Sequence, residues 1–305
     1  MKFIIALLIV YLYVVDATNF KIEPAGDSGT ILLSNGKVTS TGFNNKCVLG
    51  LGYTDETKKI STPEVIFHDS VVDIACSKAA SCCAVKSNKK VYCWGQAKWG
   101  QLGDGQETTN ACSPQEVANV DDVVAIDATY LGFIARKTDG SLVAWGNDYY
   151  GETGANKAWA GTFTPTAVTG ITDVTTLFSF ERGSIAITSD GTVYGTGDYS
   201  MWGETDTRTS SAVFVAAANL QAAGCVKPVG GIQYNGYCLT ASGQLISMGY
   251  FGNEMLLRGG DLTGSCGSAI FKQYFGPCVA RSTTDKTSAG IIATFDGIAD
   301  GDCRS

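Results

Sequence analysis

The side chains of this sequence that could carry out hydrolysis are few. The single histidine, His68, is followed by Asp69 and Ser70, which supply the three residue types of a hydrolytic triad. Adjacent residues of a strand point to opposite faces, so these three side chains are not expected to converge on one site. The sequence therefore predicts no catalytic residues.

A second group of polar residues lies close to the C-terminus. Asp296, Asp300 and Asp302, with two glycines between them, loosely resemble a loop of oxygen ligands for calcium. They lack the spacing and the terminal glutamate of an EF-hand, so a hairpin turn followed by a polar tail is preferred. A zinc site is also not expected, because zinc needs close Cys/His pairs and His68 stands alone. The prediction is no metal and no cofactor.

The N-terminus has the pattern of a secretory signal peptide. Lys2 precedes an uncharged apolar run from Phe3 to Val15, and small residues follow up to Ala17. The run is shorter than the roughly 20 residues that cross a bilayer as a helix. We expect residues 1–17 to be removed, leaving a secreted, extracellular chain of 18–305 without a membrane span. An uncleaved membrane anchor is the alternative.

Eleven cysteines in a secreted chain should mostly form disulfides. The candidates are Cys47, Cys76, Cys82, Cys83, Cys93, Cys112, Cys225, Cys238, Cys266, Cys278 and Cys303. The first six form an even set and are expected to pair among themselves, which would tie the first two repeats together. The last five are odd in number, so one lacks a partner within the chain.

Two arrangements of the last five cysteines remain open. Cys303, close to the C-terminus, could link two copies of the chain into a disulfide-bonded oligomer. Alternatively Cys303 pairs within the chain, for example with Cys278, and leaves Cys225 or Cys238 as a buried free thiol.

An internal repeat organises the whole mature chain. Turn positions 36, 89, 140, 191 and 243, and the glycines at 42, 95, 146, 197 and 249, recur at intervals of 51 to 53 residues. Each turn separates two apolar strands, and pairs such as Asn35-Gly36 and Asp139-Gly140 are typical of two-residue hairpin turns. With Asn88-Lys89 as such a turn, Ala84 would face Cys93, and a Cys82–Cys93 bridge becomes possible.

The repeat predicts an all-β chain with one domain. A sheet of three or four strands cannot bury both faces alone, which favours radial stacking into a β-propeller. The repeats run roughly over 20–69, 70–120, 121–171, 172–223, 224–276 and a truncated 277–305, so about six blades are expected. A sixth hairpin would lie at 291–297. The alternatives are a seven-bladed-like ring, an open five-bladed stack or a β-helix.

One segment makes the resemblance to a known family specific. Val91–Gly105 (VYCWGQAKWGQLGDG) resembles the characteristic motif of the regulator of chromosome condensation repeat, and Ala144–Gly154 is a weaker match. The resemblance implies a β-propeller, commonly with seven blades, that binds through one face of the disc. The founding function, nucleotide exchange on a nuclear GTPase at chromatin, does not fit a secretory leader. A net charge of −7 also disfavours nucleic acid.

Aromatic residues are the remaining candidates for binding. Trp94 and Trp145 precede the repeat glycines and are expected to pack between blades. The binding candidates occupy the loops after those glycines: Trp99, Tyr149, Tyr150, Trp202, Tyr250 and Phe251. Exposed rings make good anchors for proteins or sugars, although a packing role is also open for them.

The sequence thus favours a secreted, non-enzymatic binding or surface protein whose partner is an extracellular protein or glycan. An inhibitor that caps another protein and a glycan-binding lectin are the alternatives, and a hydrolase is the least favoured.

Overall fold

The computed structural model describes residues 20–26, 29–106, 109–157, 161–198, 210–232, 235–243, 245–249 and 293–295. These residues form twenty strands, one five-residue helix α1 (Ala218–Ala222) and a 3-10 turn at Asn45–Cys47. The strands are β1 Phe20–Ala25, β2 Gly29–Ser34, β3 Lys37–Asn44, β4 Asp55–Phe67, β5 Val71–Ser77, β6 Ser81–Lys86, β7 Val91–Gly95, β8 Ala111–Glu116, β9 Val123–Ala128, β10 Gly132–Lys137, β11 Leu142–Gly146, β12 Thr162–Ala167, β13 Val174–Phe180, β14 Gly183–Thr188, β15 Val193–Asp198, β16 Ser210–Ala216, β17 Cys225–Ile232, β18 Asn235–Thr240, β19 Leu245–Gly249 and β20 Ala293–Phe295.

The strands form five antiparallel sheets of four, and each sheet is one blade: β1–β4, β5–β8, β9–β12, β13–β16 and β17–β20. The first strands of the blades are the inner ones. β1 contacts β5, β5 contacts β9, β9 contacts β13 and β13 contacts β17. This succession of inner strands is the radial arrangement of a β-propeller, as the repeat predicts.

The segment assigned to a sixth hairpin lies elsewhere. Residues 293–295 form β20, which pairs with β19 from Leu245↔Phe295 to Ser247↔Ala293 and is the fourth strand of the fifth blade. In the other four blades the fourth strand follows the third after a loop of 10 to 15 residues. Here it returns from far along the chain and covers the backbone edge that β19 would otherwise expose.

The hairpin turns differ from the prediction by one residue in most blades. Asn35 and Gly36 both have positive φ, 51° and 80°, as a two-residue primed turn requires. In the third blade, however, Lys137 N bonds Ser141 O and Gly140 N bonds Lys137 O, which frames a three-residue loop. This loop has positive φ only at Gly140, the pattern of a turn followed by a bulge.

Apolar side chains pack between neighbouring blades. Each of four buried clusters draws on two successive sheets, and one contains Ile31, Val38 and Ile74 from the first and second blades. A blade therefore buries its faces only against its neighbours, which explains why the repeat must be stacked to be stable.

Charged side chains link the inner strands. Asp73 Oδ2 accepts from Ile126 N at 2.9 Å, and Asp127 Oδ2 accepts from Ser179 N at 2.7 Å, so each carboxylate ties its blade to the next. Lys21 Nζ donates to Asp73 Oδ1 at 2.9 Å and also lies 3.3 Å from Glu23. Burial raises the pKa of Asp127 to about 7, although the Lys21 charge opposes this.

Four disulfides lie within the described residues. Cys47 bonds Cys112, Cys76 bonds Cys82, Cys83 bonds Cys93 and Cys225 bonds Cys238. The first six cysteines thus pair among themselves, and Cys47–Cys112 joins the first blade to the second.

Two of the disulfides differ from pairings that the sequence analysis considered. The possible Cys82–Cys93 bridge is wrong, because the three-residue loop shifts the register and places Cys83 opposite Cys93. The alternative that leaves Cys225 or Cys238 as a free thiol is also wrong, since the two are bonded. Cys266, Cys278 and Cys303 lie outside the described residues, so the proposed link through Cys303 stays a prediction.

The pairing can be checked by peptide mapping without reduction. Trypsin should leave residues 79–86 as one peptide that contains both Cys82 and Cys83. We expect this peptide to be joined to those containing Cys76 and Cys93. Backbone fragmentation between positions 82 and 83 should assign Cys83 to Cys93, with a reduced digest as the control. Assignment of Cys82 to Cys93 would contradict the register of β6 and β7.

Candidate functional site

The connections between strands lie at two ends of the propeller. The connections within the pairs β5–β6, β7–β8, β9–β10, β11–β12 and β13–β14 share one end, here called the loop face. The short turns such as Asn35-Gly36 and Asp139-Gly140, with the links between blades, share the other end, here called the turn face. At the turn face of the second, third and fourth blades, a backbone bond joins the turn to the link before it, for example Thr138 N to Asp122 O at 2.8 Å.

The loops of the loop face are fastened by the following blade. Trp94 Nε1 donates to Val48 O and Trp145 Nε1 donates to Gln101 O, both at 2.9 Å. Thr196 takes the corresponding place in the fourth blade, where its hydroxyl donates to Gly151 O at 2.7 Å. Both tryptophans are fully buried, so their predicted packing between blades is confirmed. The loops are therefore a firm support for side chains that project from them.

The predicted aromatic candidates that the structure describes lie on the loop face. Trp99, in the β7–β8 loop, is 38% exposed, and Tyr149, in the β11–β12 loop, is 44% exposed. Tyr150 is half-buried, and its ring lies 4.8 Å from that of Tyr149 in an edge-to-face arrangement. A shift of 51 residues superimposes the two loop sequences, so Trp99 and Tyr150 are equivalent positions. Trp202, Tyr250 and Phe251 lie outside the described residues.

Sequence reasoning missed the residues of the shorter connections beside these loops. Tyr130, between β9 and β10, is 38% exposed. Arg182, between β13 and β14, places its guanidinium 4.3 Å from the centre of the Tyr150 ring. Lys78, between β5 and β6, lies 6.0 Å from the Tyr130 ring and 3.4 Å from Glu181. Each of these contacts joins residues of two different blades. In the sequence, Lys78, Tyr130 and Arg182 share one feature, since each lies in the connection just before the second strand of its repeat.

The rings of Trp99, Tyr130 and Tyr150 thus each have a cation close to them. The ring of Tyr149 packs on that of Tyr150 instead. Lys98 Nζ completes the set at 5.0 Å from the centre of the Trp99 ring. A cation held over an aromatic face is favourable, and more so where water is partly excluded. The arrangement offers apolar surface and positive charge side by side.

Two carboxylates lie beneath the rings. Asp148 and Glu152 are each 1% exposed. Asp148 accepts from Thr153 N at 2.8 Å and Lys157 N at 3.2 Å, and Glu152 Oε2 accepts from Tyr150 N at 2.7 Å. Burial raises the pKa of both, with Glu152 reaching about 8 in spite of the nearby Arg182. At neutral pH Glu152 therefore holds a proton.

The second blade has a neutral residue at the place of Glu152. Gln101 Oε1 accepts from Trp99 N at 2.7 Å, the counterpart of the bond between Tyr150 N and Glu152. Gln101 is fully buried, and its Nε2 has no hydrogen-bond partner within the described part of the chain. The buried amide of Gln101 and the protonated carboxyl of Glu152 thus each accept a hydrogen bond from the backbone of an aromatic residue and hold it at the loop face.

The His-Asp-Ser sequence does not form a relay in the structure. His68, Asp69 and Ser70 lie exposed in the link between β4 and β5, at the turn face. The Ser70 hydroxyl donates to Asp69 Oδ1 at 2.7 Å, whereas a hydrolytic triad needs the serine hydroxyl on the histidine. The three aspartates of the C-terminal tail, Asp296, Asp300 and Asp302, lie outside the described residues.

Within the described ranges, no group of three or more His, Cys, Asp or Glu side chains is placed to hold a metal ion. None of the helices in those ranges has the length and apolar character needed to cross a bilayer.

Comparison with known proteins agrees with this architecture. Residues 89–129 match the model of the regulator of chromosome condensation (RCC1) repeat. Protein RCC2 homolog of Danio rerio is 30% identical over 137 residues, which are 44% of this chain and 27% of that protein. Human E3 ubiquitin-protein ligase HERC2 is 26% identical over 239 residues, which are 75% of this chain and 5% of that protein. The chain therefore spans less than a third of either relative.

Solved structures show the same fold. Human WBSCR16 aligns with a TM-score of 0.63 and 20% identity, covering 74% of this chain and 60% of that one. Prp20p of Saccharomyces cerevisiae aligns with a TM-score of 0.59 and 19% identity, covering 73% and 56%. Together with the repeat match, these alignments identify the five stacked sheets. The chain thus contains a regulator of chromosome condensation repeat at residues 89–129 and has the β-propeller fold.

Proposed function

We propose that this protein is an extracellular, non-enzymatic binding module that holds a protein partner against its loop face. The observation that carries the proposal is the set of exposed rings at the loop face, those of Trp99, Tyr130 and Tyr149. Trp145 fastens the loop that carries Trp99, and Thr196 fastens the loop that carries Tyr149. Aromatic side chains on a rigid support lose little conformational freedom on binding and supply most of the energy of many interfaces.

Three further observations support the proposal. The propeller fold is suited to protein–protein interaction, and Prp20p has described binding properties to Gsp1p and histones. The apolar N-terminal run and the four disulfides are typical of a chain that enters an oxidising compartment. The contact between Ser70 and Asp69 leaves the one His-Asp-Ser sequence without the geometry of a hydrolase.

The double variant Trp99→Ala/Tyr149→Ala is expected to lose partner binding while it keeps the thermal stability of the wild type. Each exposed anchor should contribute about 2 kcal/mol to binding, so the pair should weaken binding by at least about a hundredfold. The measurement is recovery of partners from native extracellular fluid by the immobilised, oxidised protein, followed by affinity measurement with the recovered partner.

Phe20→Ala supplies the matched control. Phe20 is 49% exposed at the start of β1, opposite Ser34 beside the Asn35-Gly36 turn, and so lies at the turn face. Its loss should leave partner recovery unchanged. Equal loss from both variants would show that general surface hydrophobicity, and not the loop face, retains the partner. Saturable hydrolysis of esters, peptides or glycans that depends on His68 would contradict the non-enzymatic role.

A further inference from the structure

The loop face differs in charge from the chain as a whole, which carries −7. Its cations stay accessible. Lys98 and Lys157 are exposed, Lys78 keeps 40% of its side-chain surface, and Arg182 is half-buried over Tyr150. Three of these four cations lie against aromatic rings, so they are presented to a partner together with apolar surface.

The carboxylates of the same region are largely withdrawn from the surface. Asp148 and Glu152 are buried under the rings and bonded to backbone amides. Glu181 is paired with Lys78 and keeps only 13% of its side-chain surface. Among the described residues of this face, Asp104 remains exposed, and Asp55 and Asp198 are half-buried. Positive charge therefore prevails around the exposed rings.

The turn face has the opposite character. Its exposed acidic residues are Asp69, Glu116, Asp121, Asp122, Asp139, Asp173 and Asp190. Its lysines are partly taken up by these groups, since Lys90 pairs with Asp121 and Glu116, and Lys89 lies 3.7 Å from Asp122. The turn face thus exposes more carboxylates than the surroundings of the rings at the loop face, and the two ends should attract different partners.

We propose that the loop face recognises an acidic polypeptide segment in which carboxylates alternate with apolar or aromatic residues. This inference rests on the proposed function and specifies the chemistry of the partner. A carboxylate can take a charge-assisted hydrogen bond from Lys98 or Arg182 while its neighbour packs on the adjacent ring. A basic or uniformly apolar segment gains only part of this contact.

The test uses two synthetic fluorescent peptides and the full mature protein. One peptide contains three copies of Glu-Leu-Glu-Tyr-Glu, and the other contains lysine at every glutamate position. Fluorescence anisotropy should show binding of the acidic peptide that weakens as salt is raised, because exposed charges are screened. The lysine peptide should not bind at the same concentrations.

Charge variants connect the binding to the loop face. Lys98→Glu/Arg182→Glu is expected to weaken acidic-peptide binding by about tenfold or more, since it replaces two attractive contacts with repulsive ones. Lys98→Gln/Arg182→Gln, which removes the two positive charges without adding negative ones, should give a smaller loss in the same direction. Lys37→Glu makes the same change at an exposed lysine of the turn face and should leave binding unchanged. Thermal unfolding of each variant establishes that it is folded.

Each outcome decides the question. Equal binding of the two peptides, or unchanged affinity in both loop-face variants, would overturn the acidic-partner proposal. If neither peptide binds while partner recovery still depends on Trp99 and Tyr149, the loop face binds proteins but not acidic segments, and only this inference fails. If partner recovery is also independent of those rings, the proposed function fails with it.

Discussion

Glu152→Gln is expected to make the propeller more stable than the wild type at pH 9 and nearly equal to it at pH 5. Glu152 is buried beneath Tyr150, and burial raises its pKa to about 8 from an ordinary value of 4.5. In the unfolded chain the carboxyl ionises at its ordinary pKa. Between these two values unfolding therefore releases a proton, so raising the pH favours the unfolded state.

The contribution of protonated Glu152 to stability is fully present below about pH 4.5, declines as pH rises and is lost above about pH 8. Between pH 5 and 9 the free energy of unfolding of the wild type should fall by roughly 4 kcal/mol more than that of the variant. Asp127 also has a raised pKa, but it is common to both proteins and cancels in the difference.

Glutamine is the appropriate replacement because the second blade already uses it. Gln101 accepts from Trp99 N with the same 2.7 Å distance that Glu152 keeps to Tyr150 N. Nε2 of Gln101 has no hydrogen-bond partner within the described residues, so an amide at position 152 should also gain little from hydrogen bonding. The stability of the variant should therefore hardly exceed that of the wild type at pH 5, where Glu152 is already neutral.

Denaturant unfolding of wild type, Glu152→Gln and the control Glu64→Gln at pH 5, 7 and 9 measures this difference. Glu64 is an exposed carboxylate on β4, so its replacement should follow the wild type at every pH. A constant gap between Glu152→Gln and wild type across the three pH values would show that Glu152 is ionised in the folded protein.

The spacing of glycines and turns was sufficient to predict most of this fold. A period near 52 residues recurs as one four-stranded blade, because each repeat supplies strands that bury their faces only against the next copy. The place of Trp94 and Trp145 before the repeat glycine likewise predicted buried packing between blades. Local patterns determined these features, so the sequence carried enough information.

Features that depend on single residues or distant contacts were not predictable. One extra residue in the turn at Ser87–Lys89 shifts β6 against β7, so that Cys83 lies opposite Cys93 in place of Ala84. The return of residues 293–295 to β19 joins segments that no local pattern relates. Lys78, Tyr130 and Arg182 reach the candidate site from three different blades, so these side chains come together only in the folded propeller.

Trp145→Ala is expected to cost roughly 4 kcal/mol of folding free energy, since it removes a fully buried tryptophan and leaves a cavity that the neighbouring blade does not fill. The ring packs 5.9 Å from Phe133 and lies against Gly103 of the previous blade, where an added Cβ would come within 3.1 Å of Trp145 Cδ1. Its Nε1 also satisfies the buried carbonyl of Gln101. The variant should lose both the packing and the hydrogen bond.

Trp145→Phe separates these two contributions. Phenylalanine keeps much of the apolar volume but leaves Gln101 O without its donor, which should cost about 1–3 kcal/mol. Trp99→Ala is the control, because Trp99 is partly exposed and its removal should change stability by less than about 1 kcal/mol. Chemical denaturation of the oxidised proteins provides the three free energies.

Trp145 should also control binding without touching the partner. It fastens the backbone of the β7–β8 loop, which carries Lys98 and Trp99, through the carbonyl of Gln101. Trp145→Phe, assayed at a temperature where it remains folded, is therefore expected to weaken acidic-peptide binding, since the loop must be ordered again when the partner binds. Unchanged affinity in this variant would show that the glycines and the remaining hydrogen bonds hold the loop without the tryptophan.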